Sequence, residues 1–183
     1  MKRIHADVAK CLACRTCELA CALAHADTDD LVRAIGRGAR PRIYIEPAGP
    51  LAVPLQCRHC DDAPCVAVCP TGALWRAGQN DPVLVEQSKC IGCAFCVQAC
   101  PFGVIVLAEP SDQQEPGSGR VVMKCDLCIN RLAEGLQPAC VSSCPVDALA
   151  FVEMDEVARR ARARTAAASS WDGQSAVGPA GGP

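Results

Sequence analysis

The sequence predicts an α+β fold in which short helices and strands surround metal sites instead of a large apolar core. Sixteen of the 183 residues are cysteine, a density typical of metal-rich or disulfide-rich domains. Phe, Trp and Tyr together make up only 3% of the chain, although aromatic side chains normally supply much of the buried area in a domain of this size. Bound metal is therefore expected to replace part of the missing core.

The cysteines form four groups of four, and none is left over. The first and third groups share the spacing CxxCxxCxxxC, whereas the second and fourth have four and eleven residues between their second and third cysteines. Variation at one position and constancy elsewhere predicts four copies of one structural unit. The groups are Cys11, Cys14, Cys17 and Cys21; Cys57, Cys60, Cys65 and Cys69; Cys90, Cys93, Cys96 and Cys100; and Cys125, Cys128, Cys140 and Cys144.

This spacing favours four 4Fe-4S clusters over zinc. In a CxxCxxCxxxCP run the first three thiolates bind one cluster and the fourth reaches a second cluster, whereas zinc usually takes two well-separated cysteine pairs. A secreted disulfide scaffold is disfavoured because the segment before Cys11 contains no apolar signal-peptide region. We therefore expect thiolate ligands in a reducing, cytoplasmic compartment.

Charge and hydropathy exclude other functions. The net charge of -2 gives no electrostatic basis for binding nucleic acid or an anionic membrane. No apolar run approaches the roughly 20 residues needed to span a bilayer. Four oxidised clusters with their thiolates would each carry about -2, so many of the 18 Lys and Arg residues are expected to offset that charge.

Four stretches resemble the four-cluster iron-sulfur subunits of the dimethyl sulfoxide reductase and formate dehydrogenase family: CLACRTCELACALAH, CRHCDDAPCVAVCPTGAL, CIGCAFCVQACPFGVI and CDLCINRLAEGLQPACVSSCPVDAL. In the first stretch Ala22 stands where a proline usually follows the fourth cysteine, and the chain continues to His25. These two features are most similar to the small branch of the family. That branch contains the carbon monoxide dehydrogenase iron-sulfur protein and the tungsten aldehyde oxidoreductase small subunit. The resemblance covers about residues 10–151.

The resemblance implies a non-catalytic electron-transfer subunit of a hetero-oligomeric oxidoreductase. The first choice of partner is a molybdenum or tungsten pterin enzyme such as an aldehyde oxidoreductase, with a flavin subunit as a further partner or acceptor. Alternatives are a carbon monoxide dehydrogenase or hydrogenase partner, or a free polyferredoxin carrier.

The resemblance also implies two bacterial-ferredoxin-like dicluster modules, one nested in the other, within residues 1–152. The inner module would span about 54–108 and the outer about 1–25 with 120–152, while 153–183 would form a helix and a Gly/Pro-rich tail that contacts a partner or is flexible. The second and third groups are joined by only 20 residues with a hairpin signal, which favours local pairing, although spacing alone also permits the first group to pair with the second. The implied ligand sets are Cys11, Cys14, Cys17 and Cys144; Cys57, Cys60, Cys65 and Cys100; Cys90, Cys93, Cys96 and Cys69; and Cys125, Cys128, Cys140 and Cys21.

Between the cysteine groups lie short β-prone runs. A hairpin turn is expected at 78–80, an exposed loop at 111–119 and a helix from Met154 to Ala168. The predicted strands are Arg42–Ile45, Ala73–Trp75, Val83–Val85, Val104–Leu107, Val121–Met123 and Leu149–Val152.

Several further residues are candidates for a role beside the clusters or in docking. His59, between two predicted ligands, is interpreted as a surface residue or a neighbour of the cluster, and His25 and His5 carry less weight. Trp75 is predicted to lie in the hairpin core. Two basic segments are docking candidates: the favoured one is 22–56 with Arg33, Arg37, Arg40 and Arg42, and the other, Arg159, Arg160, Arg162 and Arg164, is equally compatible with a solvated helix face.

Overall fold

The computed structural model describes residues 2–109 and 119–171, and these residues form an α+β fold. The tail after residue 171 and nearly all of the predicted loop at 111–119 lie outside the described residues. The strands are β1 Lys2–Ala6, β2 Ile43–Ala48, β3 Leu51–Gln56, β4 Leu74–Trp75, β5 Leu84–Val85, β6 Val106–Ala108, β7 Val121–Met123 and β8 Leu149–Glu153. The α-helices are α1 Thr16–Ala24, α2 Leu31–Gly36, α3 Pro64–Ala67, α4 Phe95–Ala99, α5 Ile129–Ala133, α6 Ala139–Ser142 and α7 Met154–Trp171.

The strands pair in four antiparallel two-stranded sheets, β1 with β8, β2 with β3, β4 with β5 and β6 with β7. All six predicted strands are present within a few residues of their expected bounds, and β4 and β5 form the predicted hairpin. Strands β1 and β3 were not predicted. Strand β3 contains Pro54, which donates no backbone hydrogen bond, but every strand of a two-stranded sheet is an edge strand, where proline is tolerated.

Cysteines make up much of the buried interior. One apolar cluster joins β1, β2 and β8 to the first and fourth cysteine groups and includes Ile4, Ile43 and Leu149. A second cluster joins the second and third groups around Leu74, Val83 and Val122. Among the described residues the buried core contains no aromatic side chain, in agreement with the composition. The prediction for Trp75 is wrong: its side chain points away from the core and is 40% exposed.

Helix α7 confirms the predicted C-terminal helix and extends it to Trp171. It contacts β8 and β1, and most of its length is exposed. On its surface Glu156 pairs with Arg159 and Arg160. Neither α7 nor any other helix among the described residues combines the length and apolarity needed to cross a bilayer.

Candidate metal centres

The four cysteine groups begin with the same backbone turn. In each, the residue directly before the second cysteine has a left-handed φ between 49° and 69°. The turn directs backbone N–H groups at the first sulfur: His59 N lies 3.4 Å from Cys57 Sγ, and Leu127 N lies 3.4 Å from Cys125 Sγ. Left-handed backbone at a non-glycine residue costs about 1–3 kcal/mol and tends to mark functional sites. The turn residues are Ala13, His59, Gly92 and Leu127.

Three small cavities are each lined by four cysteines from two different groups. In every case three cysteines come from one group and the fourth comes from the end of another, so the structure brings these predicted sets together. We name them site I, lined by Cys11, Cys14, Cys17 and Cys144; site II, lined by Cys57, Cys60, Cys65 and Cys100; and site III, lined by Cys90, Cys93, Cys96 and Cys69.

The remaining four cysteines form site IV, which consists of Cys125, Cys128, Cys140 and Cys21. All four are buried. Cys21, Cys125 and Cys140 pack in the same apolar cluster. Burial raises the pKa of the Cys140 thiol well above its usual range, and the charges of Cys125, Cys21, Cys128 and Cys17 raise it further. The structure therefore brings three of the predicted sets together around cavities and places the cysteines of the fourth set in the buried interior.

The chemistry of these sets fits an iron-sulfur cluster. Burial raises the pKa of Cys17 and of Cys96 to about 11, so without a cation these thiols would stay protonated. Cluster ligands must be thiolates, and iron supplies the positive charge that makes four neighbouring thiolates compatible. Backbone N–H groups also donate to ligand sulfurs, at 3.3 Å from Arg42 to Cys21 and 3.2 Å from Ala148 to Cys144.

Exposure differs between the sites. In sites I and III the second cysteine of the group, Cys14 or Cys93, is exposed. Apolar side chains beside them are exposed as well: Leu12 at 66% next to site I, and Ile91 at 67% and Phe95 at 52% next to site III. Sites II and IV contain no exposed cysteine.

An ion network lies against site IV. Asp126, between two ligands of this site, accepts hydrogen bonds from Arg42 Nη1 at 2.7 Å and from the Cys128 N–H at 2.8 Å, and its Oδ1 lies 3.0 Å from His25 Nε2. Burial opposes the charge on the Asp126 carboxyl, but its His25 and Arg42 partners hold its pKa well below the usual range. From the sequence, His25 was not expected to have a specific role, and Arg42 was expected in a docking segment. In the structure both side chains contact Asp126.

His59 in site II is fully buried, so the surface interpretation of this residue is wrong and the interpretation as a neighbour of the cluster is supported. Burial, followed by the charges of Lys124, Arg3 and Arg76, lowers the pKa of His59 to about 2. The ring is therefore neutral, and its Nδ1 accepts a hydrogen bond from the Val83 N–H at 3.0 Å. No local sequence pattern predicted the contact of Arg3, which lies 56 residues away along the chain and donates to the His59 carbonyl.

A protein-family profile described as a 4Fe-4S dicluster domain matches residues 50–154. The chain belongs to this family. It is 42% identical over 175 residues to an iron-sulfur protein of Rhodospirillum rubrum, with 91% of each chain covered. It is 38% identical to the electron transport protein HydN of Escherichia coli (89% of this chain, 96% of the relative) and 40% identical to the thiosulfate reductase electron transfer subunit PhsB of Salmonella typhi (82% and 74%). These matches confirm the prediction of a ferredoxin-type iron-sulfur protein of electron transport.

Proposed function

We propose that this chain is a non-catalytic subunit that relays electrons through four 4Fe-4S clusters, one at each of sites I to IV. The observation that carries the proposal is that three cavities are each lined by four cysteines from two groups, while the remaining four cysteines are all buried. Each set supplies the four thiolates that a 4Fe-4S cluster needs.

The contacts between sites support the order I, IV, II, III along the relay. Cys17 of site I and Cys140 of site IV lie in the same apolar cluster. Lys124 joins site IV to site II, because its ammonium group donates to the carbonyls of Cys125 and of Val83, which lines site II. Site III meets the other sites through the second apolar cluster, which contains Cys65 of site II and Cys96 of site III. Sites I and III are therefore the two ends.

The exposed surfaces of sites I and III suit electron exchange with partner proteins. An exposed cysteine ligand shortens the path from a cluster to a protein docked over it, and the exposed apolar residues Leu12, Ile91 and Phe95 are contacts that a partner would cover. One end would receive electrons and the other would release them. The 153–183 segment, with its exposed helix α7, is proposed as a further partner contact.

Two modules remain our proposal for the domain organisation, supported by the two apolar clusters. The inner module would contain sites II and III, and the outer module sites I and IV. Strand β7 pairs with β6, and Val122 packs in the second cluster. We therefore place the return to the outer module after β7, near Lys124, instead of near residue 120.

The proposed partner is a catalytic oxidoreductase subunit, as the name of the Salmonella relative suggests for that protein. Our first choice is a molybdenum or tungsten pterin enzyme, with a flavin subunit as the second contact. A carbon monoxide dehydrogenase or hydrogenase partner, or a free carrier, is the alternative. We propose a cytoplasmic location, in which the thiols stay reduced.

Cluster content tests the proposal directly. Anaerobically purified protein should contain about 16 iron and 16 sulfide per chain, four of each per cluster. Zinc in place of iron, or iron for only two clusters, would refute it.

The pairing of cysteine groups has its own test by electron paramagnetic resonance. Cys69→Ala and Cys93→Ala belong to different groups but to the same site, so they should remove or alter the same cluster signal. Cys65→Ala is the matched control, because it shares a group with Cys69 and should affect a different signal. If Cys69→Ala and Cys65→Ala altered the same signal, the crossed pairing would be wrong.

The partner can be identified by co-purification with a tagged chain. A catalytic oxidoreductase subunit should be recovered with the wild type, and Ile91→Asp should reduce its recovery or that of the electron acceptor. Leu136→Asp is the control, since Leu136 is 46% exposed and lies between α5 and α6, outside the proposed partner contacts. Recovery of the chain alone would favour a free carrier.

A further inference from the structure

Two arginines, the buried Arg3 and the partly buried Arg76, converge on the loop of site II. Arg3 of β1 and Arg76, just after β4, both donate to the carbonyl of His59, at 2.7 Å and 2.9 Å. Arg76 also donates to the carbonyls of Cys60 and Asp61. Arg3 is 9% exposed. Both guanidinium groups therefore lie within one hydrogen bond of the backbone that carries Cys57 and Cys60.

A third cation, Lys124, contacts the wall of site II. Lys124 is 2% exposed, and its ammonium group donates to the carbonyls of Val83 and Cys125. Val83 lines the site II cavity and donates its own N–H to the His59 ring. Lys124 thus lies between the wall of site II and a ligand of site IV.

Little negative charge offsets these three cations. The nearest carboxylate to Arg3 is Asp61, at 4.0 Å, and the Asp61 side chain is 86% exposed. Exposed charges are screened by water and salt far more than buried ones. The local field at site II is therefore positive.

The other sites differ in this respect. Beside site I, Arg15 is paired with Glu18 at 3.1 Å. Beside site IV, Arg42 is paired with Asp126 at 2.7 Å. The described residues that line site III include no charged side chain.

We propose that Arg3, Arg76 and Lys124 raise the reduction potential of the site II cluster above those of the other three. The proposal rests on the four-cluster function proposed above. Accepting one electron adds one negative charge to the cluster, and buried cations nearby stabilise that charge. In the proposed relay the electron would come from a reduced cluster at site III or site IV, which would lose one electron. An electron in transit would then be most stable at site II, between the two ends of the relay.

A redox titration of the holoprotein, followed by electron paramagnetic resonance, tests this assignment. In Arg76→Gln and Arg3→Gln the component with the highest potential should move to a lower potential. We expect at least a tenfold fall in its reduction equilibrium constant, about 59 mV for one electron. Arg76→Lys keeps the charge and should retain most of the wild-type potential, which a merely structural role of Arg76 would not explain.

Two further variants sharpen the reading. Arg58→Gln removes a charge from the same loop. The Arg58 guanidinium lies over the Phe102 ring, 5.9 Å from its centroid, whereas Arg76 donates to three carbonyls of the loop, so the shift in Arg58→Gln should be smaller. Lys124→Met should lower two components, because Lys124 lies between sites II and IV.

The inference is overturned if no component moves in Arg76→Gln and Arg3→Gln, if a lower-potential component moves instead, or if Arg58→Gln has an equal effect. If Arg76→Gln loses its cluster, Arg3→Gln and Arg76→Lys decide the question. Iron and sulfide content separates the two proposals: a wild type without four clusters refutes the function, whereas four clusters with an unmoved highest component refute only this inference.

Discussion

Sites III and IV each contain four cysteines, but the two sites differ in exposure and in nearby charge. Site III has an exposed cysteine, Cys93, and an uncharged lining. Site IV has four buried cysteines and an ion network around Asp126. The CxxC start and xxxC end that the two groups share thus do not decide how a cluster would be used. The surrounding fold decides it instead. Site III suits exchange of electrons with a partner, whereas site IV joins Cys21 to three cysteines more than 100 residues further along the chain.

Removal of iron is expected to have the largest effect and would test whether either site folds without metal. Because cysteines replace aromatic core residues and buried thiolates repel each other, we expect chelated protein to lose most of its native circular dichroism. If the circular dichroism signal persisted after chelation, the fold around both sites would form without metal, and cluster binding would not be coupled to folding.

Removal of one ligand from each site compares them directly. Cys140→Ala takes a buried ligand from site IV and leaves a cavity beside three buried thiols, so we expect little folded protein. Cys93→Ala removes an exposed ligand from site III, and we expect a folded chain with the other three clusters, about 12 iron. Iron analysis and thermal unfolding measure both. Equal losses in the two variants would remove the distinction between a central and a peripheral site.

The network of site IV is expected to contribute less than its ligands. Asp126→Asn keeps the shape of the side chain but removes the charge that Arg42 and His25 face, and we expect a loss of about 2–3 kcal/mol in the free energy of unfolding. Chemical denaturation of the holoprotein measures it. Asp147→Asn, at an exposed position after site I, is the control and should change stability by about 0.5 kcal/mol or less.

A smaller effect is expected from the turn of site III. A Cβ at Gly92 would lie 2.5 Å from the carbonyl oxygen of Arg120, at a φ of +69°. Gly92→Ala should therefore destabilise by about 1–3 kcal/mol and disturb the nearby hydrogen bond from Val122 N to Cys90 Sγ. Thermal unfolding and the site III signal measure this.

Gly103→Ala is the matched control for Gly92→Ala. Gly103 has a similar φ of +63° but no atom within 4 Å of the added Cβ, so this variant reports backbone strain without the contact. If the two variants lost similar free energy of unfolding, the contact between the added Cβ and the Arg120 carbonyl would have no effect on stability.

Local patterns in the chain predicted much of this protein. The β-prone runs predicted six of the eight strands among the described residues, because apolar β-branched side chains mark a strand regardless of its partner. Iron-sulfur chemistry was predicted from cysteine spacing, because three thiolates on one short loop can bind one cluster, whereas the family was predicted from the resemblance of the four cysteine stretches. Strands β1 and β3 were missed, since the charged segment of β1 and Pro54 in β3 form strands only when their partners are present.

The charged surroundings of the sites could not be predicted in the same way. Arg42 lies in a basic stretch that is typical of a docking surface, and only its contact with Asp126, 84 residues further on, shows that it turns inward. From the sequence alone, His59 is as compatible with the surface as with the interior. Only the tertiary structure shows that its ring is buried, neutral and hydrogen-bonded to the Val83 N–H.

The sequence by itself determined the ligand type, the number of cysteine sets and the short turns that hold them, because each depends on residues close together in the chain. Only the tertiary structure decided which cysteines are exposed, which cations are buried beside which site, and how the sites follow one another. Those properties depend on side chains brought together from distant segments, and burial and electrostatic fields act through space instead of along the chain.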